Sequence, residues 1–471
     1  MKYILVFVLA LVVNFSFSQT EKSKNKKVTE EFIKYYNANN YENIFSMFAD
    51  VMKNASPINE TTEFLKGLKA QAGKITNQEF LKYKNGTLAS YKTTFENAVM
   101  VLNISIDHTS KINGLLVEPF GEPINTENVI NNLTYENSVL TKEQADLIFE
   151  KTKMFPNHTQ VSVAIIRDGK VDYYGMHKKK DTISNIDNHQ SIFEIGSISK
   201  VFTSTLLANF VIAKKLKLNE PINSYLETTF NNNTVISFVD LANHTSGLPR
   251  LPDNLDLTKV NPENPYRDYR EKELTTYLTT YLTLSNKGKH QYSNLGAGLL
   301  GYTLSKIGND SYENLLQKKI FSKYNMQNST ADISKVKGDL VKSLYKKGKV
   351  IPNWEFSVLA GAGAIFSSVE DLSRFVVSQF DPTNEELALT RTKTFEISNT
   401  TGIGLGWHIL KSKSDHLWYW HNGGTGGYFS SMVINTSLKT GIILLSNVSP
   451  SHPNAENIDK LNSELMKTLE N

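Results

Sequence analysis

Ser191-Ile-Phe-Glu-Ile-Gly-Ser197-Ile-Ser-Lys200-Val-Phe-Thr-Ser-Thr-Leu-Leu207 is the stretch on which the reading of this chain turns. A short apolar strand is predicted to meet Gly196, and a long apolar helix to begin at Ser197. Spacing of i to i+3 puts the Ser197 hydroxyl and the Lys200 amine on one helical face. A serine hydroxyl is a poor nucleophile until a neighbour takes its proton. A lysine withdrawn from water loses basicity, because desolvation disfavours its charged form, and so becomes a proton acceptor. The helix start adds free amide N–H groups and a positive field beside a developing oxyanion. The tetrad alone proves nothing: Ser-x-x-Lys also begins at Ser23, Ser334 and Ser343. An N-capping serine with a solvated lysine one turn later is the ordinary alternative. Strand, glycine and apolar helix set this copy apart.

Two further elements carry chemistry. Tyr292-Ser-Asn294 precedes a small-residue run, Leu-Gly-Ala-Gly-Leu-Leu-Gly301, which permits close approach of another segment. Tyr-x-Asn recurs at Tyr35, Tyr41, Tyr83, Tyr135 and Tyr312, so here too context decides. A tyrosine beside a lysine can be held partly as phenolate and act as general base. Asn294 would orient Lys200 or bind a substrate carbonyl. Trp420-His421-Asn422-Gly423-Gly424-Thr-Gly-Gly427 offers a glycine-rich strand edge against which a substrate backbone can lie, with an N–H for an oxyanion. Lys439-Thr440-Gly441 lies between two apolar strands and reads as their hairpin turn.

In that order, with about a hundred residues between successive elements, the set resembles the serine β-lactamase and penicillin-binding-protein superfamily, whose first motif is Ser-x-x-Lys. Tyr-Ser-Asn and His-Asn-Gly resemble the class C-like branch and a group of D-alanyl-D-alanine carboxypeptidases and esterases. Leu241-Ala-Asn-His-Thr-Ser-Gly-Leu-Pro249, the run Ala360 to Leu372 and Gly404-Leu-Gly-Trp407 are further family marks. The resemblance implies that Ser197 is acylated, that Lys200 and Tyr292 exchange its proton, and that the N–H groups of Ser197 and Gly424 form an oxyanion hole. It also implies that Asn294, His421, Gly423 and Gly424 contact substrate, that His244 is structural, and that no cofactor or metal is needed. His421 stands where β-lactamases place lysine. With an ordinary pKa of about 6.5 it is mostly neutral at pH 7 and gains charge on acidification. Anionic substrates should then bind better at pH 6 than at pH 8.

The rest of the chain sets the context. Its 471 residues exceed one ordinary domain. A 40% hydrophobic and 21% charged composition excludes disorder, collagen and coiled coil. A net charge of +4 gives no basic surplus for nucleic acid. The absence of cysteine removes disulfides, thiolate zinc sites and thiol nucleophiles. Residues 1–19 read as a signal peptide, so the chain is expected to be exported, periplasmic or secreted, with no stable membrane span after cleavage. Residues 25–120 combine helical periodicity over 28–36, 41–53 and 61–72 with strands at 80–84, 88–95, 98–106 and 112–117, turned once at Asn85-Gly86. They resemble an NTF2-like accessory domain, a positioning or binding module. Residues 121–139 read as a linker and 140–468 as the hydrolase domain. The expected fold is α+β: an antiparallel sheet flanked by helices, with a helical insertion. The function expected is acyl transfer on a small-molecule or peptide substrate, cell-wall fragments included. A binding or sensing protein that does not turn over is the alternative.

Overall fold

The computed structural model describes residues 21–84, 88–120, 128–136, 139–256, 260–261 and 263–470. The expected signal peptide, the Asn85-Gly86 turn and the first part of the expected linker lie outside these residues. The chain divides into two units between residues 123 and 124.

In the first unit four helices precede a sheet. Helix α1 (Ser23–Asn37) buries Val28, Phe32 and Tyr36 at four-residue spacing, one face of an amphipathic helix. Helices α2 (Tyr41–Ser46), α3 (Asp50–Ala55) and α4 (Ile58–Ala72) follow. The sequence predicts one helix over 41–53, and the structure has two. Residues 47–49 leave the helix to pair with the sheet: Ala49 N–H donates to Ile112 O at 2.8 Å, and Ile112 N–H to Met47 O at 2.8 Å. Strands β1 (Ile75–Lys84), β2 (Leu88–Phe95), β3 (Val99–Ile106) and β4 (Ile112–Pro119) form an antiparallel meander. The helices cover it with a single apolar core around Phe32, Phe48, Leu65 and Leu102.

The second unit opens with β5 (Ile130–Asn132), inside the segment read as linker. It pairs in parallel with Thr182, Ile183 and Ser184 and is the edge of the large sheet, so the linker ends earlier than its composition suggested. Helix α5 (Lys142–Thr152) starts at a capping box in which Thr141 and Gln144 satisfy each other's backbone N–H. Strands β6 (Gln160–Arg167), β7 (Lys170–Lys179), β8 (Thr182–Asn185) and the short β9 (Phe193–Glu194) lead into α6 (Ser199–Ile212). A mostly helical and looped middle holds α7 (Phe238–Ala242), α8 (Glu271–Thr276), α9 (Asn294–Gly308) and α10 (Tyr312–Leu316). The short β10 (Phe366–Ser367) pairs with β9 and precedes α11 (Val369–Ser378) and α12 (Glu385–Arg391). The chain closes with β11 (Phe395–Ser398), β12 (Thr401–Ile403), β13 (His408–Lys411), β14 (Leu417–Gly424), β15 (Phe429–Asn435), β16 (Thr440–Ser446) and α13 (Asn457–Lys467).

The large sheet runs β11-β12-β13-β14-β15-β16-β6-β7-β8-β5. First and last segments of the unit meet at its centre, where β16 pairs antiparallel with β6. Both faces of this centre are covered. Ile443 and Leu445 face the helical middle, while Ile442 and Leu444 face the core shared with α5 and α13. Period-two partition between two cores explains why these strands read as unbroken apolar runs.

Helix α6 is buried on nearly every side, through Val201, Phe202, Leu206, Leu207 and Phe210 among others. Against α9 packs a 3₁₀ turn, Ala360–Ala362, and the small residues of both permit it. A Cβ on Gly301 would lie 2.9 Å from Gly361 Cα, and one on Gly361 would lie 2.6 Å from Ala297 O. Gly301→Val should therefore force the two segments apart and destabilise the second unit by about 1–3 kcal/mol, as overpacking does. Its thermal unfolding transition should drop, whereas Gly67→Ala, with open space around it, should leave that transition in place.

Candidate active site

Gly196 holds the nucleophile turn. Its φ of +51° lies in the left-handed region, and a Cβ there would sit 2.6 Å from Gly424 N. Ser197 follows in a 3₁₀ turn (Gly196–Ile198) that runs into α6, and its side chain keeps partial access to solvent. Lys200, one turn on, is 2% exposed.

Lys200 Nζ lies 2.9 Å from Ser197 Oγ, 3.0 Å from Asn294 Oδ1 and 2.6 Å from Ala362 O. The amide oxygen and the carbonyl can only accept, so two of the amine's protons are committed to them. As an ammonium, Nζ gives its third proton to Ser197. As a neutral amine it points its lone pair there instead. Burial, with the positive charge of Arg250 second, holds the Lys200 pKa well below the usual lysine range. The neutral form is thus favoured, with its one free valence aimed at the serine proton.

Asn294 is used at both ends. Its Nδ2 donates to the Tyr266 hydroxyl at 3.0 Å while Oδ1 holds Lys200. Of the two roles expected for Asn294, orienting the lysine is the one its contacts serve. Tyr266 in turn stacks on Phe356, with ring centroids 4.6 Å apart.

Tyr292 stands over this group, its ring centroid 4.9 Å from Lys200 Nζ. The phenol is not held as phenolate: burial pushes it up to about 12, and a hydrogen bond with Ser197 and the charge of Arg250 only partly offset this. The expectation of a resting phenolate is corrected to a neutral phenol. A lysine whose charged form is disfavoured by burial gives a neighbouring anion less stabilisation.

The third motif occupies the end of β14. A Cβ on Gly423 would meet Ile195 O at 2.0 Å and Ser197 N at 2.8 Å, so only glycine lets the strand lie against the nucleophile turn. Ser430, opposite Gly423 on β15, donates to Ile195 O at 2.8 Å and ties the same two segments. The main chain of Gly424 thereby reaches the segment that carries Ser197.

His421 departs from expectation. It is 2% exposed, and Nδ1 lies 2.6 Å from Asn422 O. A carbonyl accepts, so Nδ1 carries the proton and Nε2 keeps a lone pair. Burial first, then His408 and Lys200, lower its pKa well below 6.5. Acidification from pH 8 to pH 6 therefore does not charge it, and the predicted gain in anion binding over that range is withdrawn.

The other sequence features fall into place. Lys439, with φ +51°, sits in the turn between β15 and β16, and its carbonyl accepts from Gly169 N–H. Ser23 starts α1 of the first unit, and the hydroxyl of Ser334 donates to Asp332 in an exposed turn. His244 is buried with its ring 4.5 Å from that of Tyr292, and its Nδ1 accepts from Ser293 N–H. Sequence reasoning missed Tyr266, Arg250, His290 and His408. The two histidines join His244 and His421 in a chain of ring contacts, 6.0 Å from His244 to His290, 6.1 Å to His408 and 5.5 Å to His421. Nothing in their spacing announces this, because each comes from a different segment. Among the described residues no group of His, Cys, Asp or Glu is arranged to hold a metal ion.

Comparison with known proteins agrees with the geometry. The family model described as Beta-lactamase matches residues 153–466, and the chain belongs to that family. A protein of unknown function family (DUF3887) matches residues 29–115, as befits an accessory domain. A β-lactamase of Pseudomonas fluorescens is 25% identical over 340 residues, 63% of this chain and 90% of that one. The fold is shared with the octameric penicillin-binding-protein homologue of Pyrococcus abyssi (TM-score 0.57, 21% identity, 69% of this chain and 77% of that one). It is shared too with a β-lactamase/D-alanine carboxypeptidase of Pseudomonas syringae (TM-score 0.57, 19% identity, 69% and 97%). The second unit is thus a β-lactamase-like α+β fold, and the protein is a serine hydrolase of that family.

Two outcomes follow for the third motif. Because His421 stays neutral across the range, KM for an anionic substrate should be flat between pH 8 and pH 6, and a severalfold fall on acidification would refute its assignment as a buried neutral acceptor. His421→Ala should lower kcat/KM by ~10-fold or more, about 1.4 kcal/mol, while Lys439→Ala in the hairpin turn should be near neutral. Equal losses would mean that the motif has been misplaced.

Proposed function

We propose that this is an exported serine hydrolase that works through an acyl-enzyme on a peptide, ester or β-lactam-type acyl donor. Ser197 Oγ attacks the acyl carbon as its proton passes to the neutral Lys200 amine. The proton then moves by way of the Tyr292 hydroxyl to the departing group, and the acyl–leaving-group bond breaks. The developing oxyanion is received by the N–H groups of Ser197 and Gly424. Water completes the cycle by attacking the ester on Ser197: its proton passes by way of Tyr292 and Lys200 to Ser197 Oγ as the acyl–Oγ bond breaks and the free acid leaves. Asn294 holds the amine in place, and Gly423 and Gly424 give the substrate a strand edge to lie on, with His421 as a neutral acceptor beside it.

The observation that carries this reading is the lysine amine with two protons engaged by obligate acceptors and its third position on Ser197 Oγ at 2.9 Å. Export rests on the charged and apolar start of residues 1–19. Among the described residues no helix is long and apolar enough to cross a membrane. The domain plan proposed is a signal peptide at 1–19, an accessory module over 25–120, a short linker, and a hydrolase domain that takes in β5 (Ile130–Asn132) and runs to 468.

Intact-mass measurement after treatment with a fluorophosphonate and with a labelled penicillin tests the nucleophile. Wild type should gain the adduct on the peptide containing Ser197, and Ser197→Ala should gain none. An adduct on Ser334 or Ser343 would overturn the assignment. A Ser197 adduct that forms from every acyl donor and never decays would mark a binding or sensing protein instead.

A further inference from the structure

We propose that Arg250 is the anion anchor of this site: its guanidinium binds a carboxylate of the acyl donor. This inference rests on the hydrolase reading of the same site and names the residue that would select its substrate.

Arg250 is solvent-exposed, whereas residues 241–248 are buried and Pro249 is half-buried. Its backbone is fixed to the motif carrying Tyr292 and Asn294. Pro249 O accepts from the Ser293 hydroxyl at 2.6 Å, and Arg250 O accepts from the N–H groups of Asn294 and Leu295 at 3.0 and 3.2 Å. The side chain turns back over the site, with Cζ 5.2 Å from the Tyr292 ring centroid. Among the described residues no carboxylate pairs with it. Two basic side chains lie over Tyr292, Lys200 and Arg250. The first is buried and spends its protons on Asn294 and Ala362. The second is exposed, unpaired and permanently charged, with a planar fork that fits a carboxylate through two parallel hydrogen bonds. His421 cannot compete for that carboxylate, since its Nδ1 proton is given to Asn422 O and Nε2 is an acceptor. An acyl donor lying along β14 would meet an acceptor at His421 and a cation at Arg250.

The test is equilibrium binding in the Ser197→Ala background, where no turnover intervenes. The probes are a matched pair, N-acetyl-D-alanyl-D-alanine and its C-terminal amide, titrated by calorimetry at low salt. The carboxylate should bind ~10-fold or more tightly than the amide, as expected for a charge-assisted bidentate pair. Adding Arg250→Gln should abolish that preference and Arg250→Lys should keep part of it, with thermal unfolding confirming that each variant is folded. Equal affinities in Ser197→Ala, no measurable binding of the carboxylate, a preference surviving Arg250→Gln, or an equal loss for both probes would each overturn the anchor. Failure of wild type to acylate, with the Arg250-dependent preference intact, would remove the hydrolase reading and leave the anchor standing.

Discussion

The site depends on one constraint: a lysine amine kept out of water. Desolvating an ammonium without a counter-ion carries a penalty of several kcal/mol, and the group escapes it by giving up its proton. Among the described residues no carboxylate pairs with Lys200; its partners are a serine hydroxyl, an amide oxygen and a backbone carbonyl. Three distant segments must converge for that. The glycines of α9 and of residues 360–362 bring Ala362 O down to the amine, and α9 itself carries Asn294. Gly196 and Gly423 then let the nucleophile turn and β14 share one space. Packing of small residues and basicity of the lysine are in this sense one problem.

Much of this was legible in the sequence. The apolar runs of β6, β15 and β16 and the glycine–serine–lysine context of α6 each have a local cause, a period or a steric need, and each is found where the sequence puts it. The helix broken at residues 47–49 was not legible, because its break comes from pairing with Ile112, more than sixty positions away. Strands β11 to β13 are three or four residues long, and β11 is largely exposed, too short and too polar for a period of two to register. The parallel strand Ile130–Asn132 sits in a Pro-, Gly- and Asn-rich stretch whose composition says loop.

Within the site, residue types were legible and protonation states were not. Tyrosine beside lysine suggests phenolate only if the lysine is charged, and histidine suggests a switch near pH 6.5 only if it meets water. Burial defeats both premises. His244, His290, His408 and His421 come from four segments, and all have lowered pKa values with desolvation as the first cause. A run of neutral imidazoles beside Tyr292 gives polar contacts without adding charge, which an equivalent row of lysines would not do.

The location of the remaining charge matters for the same reason. After burial, Arg250 is the next cause of the lowered Lys200 pKa, and it also works against the rise at Tyr292. A cation disfavours a second cation nearby, so any positive group placed to meet an anionic substrate also tunes the lysine. At position 421 such a group would be buried and would itself carry the desolvation penalty that Lys200 avoids. At position 250 it is exposed, keeps its hydration, and still lies 5.2 Å from the Tyr292 ring. One exposed guanidinium on a loop pinned to α9 can therefore depress the lysine and face the substrate at once, and a neutral histidine in the third motif is compatible with both.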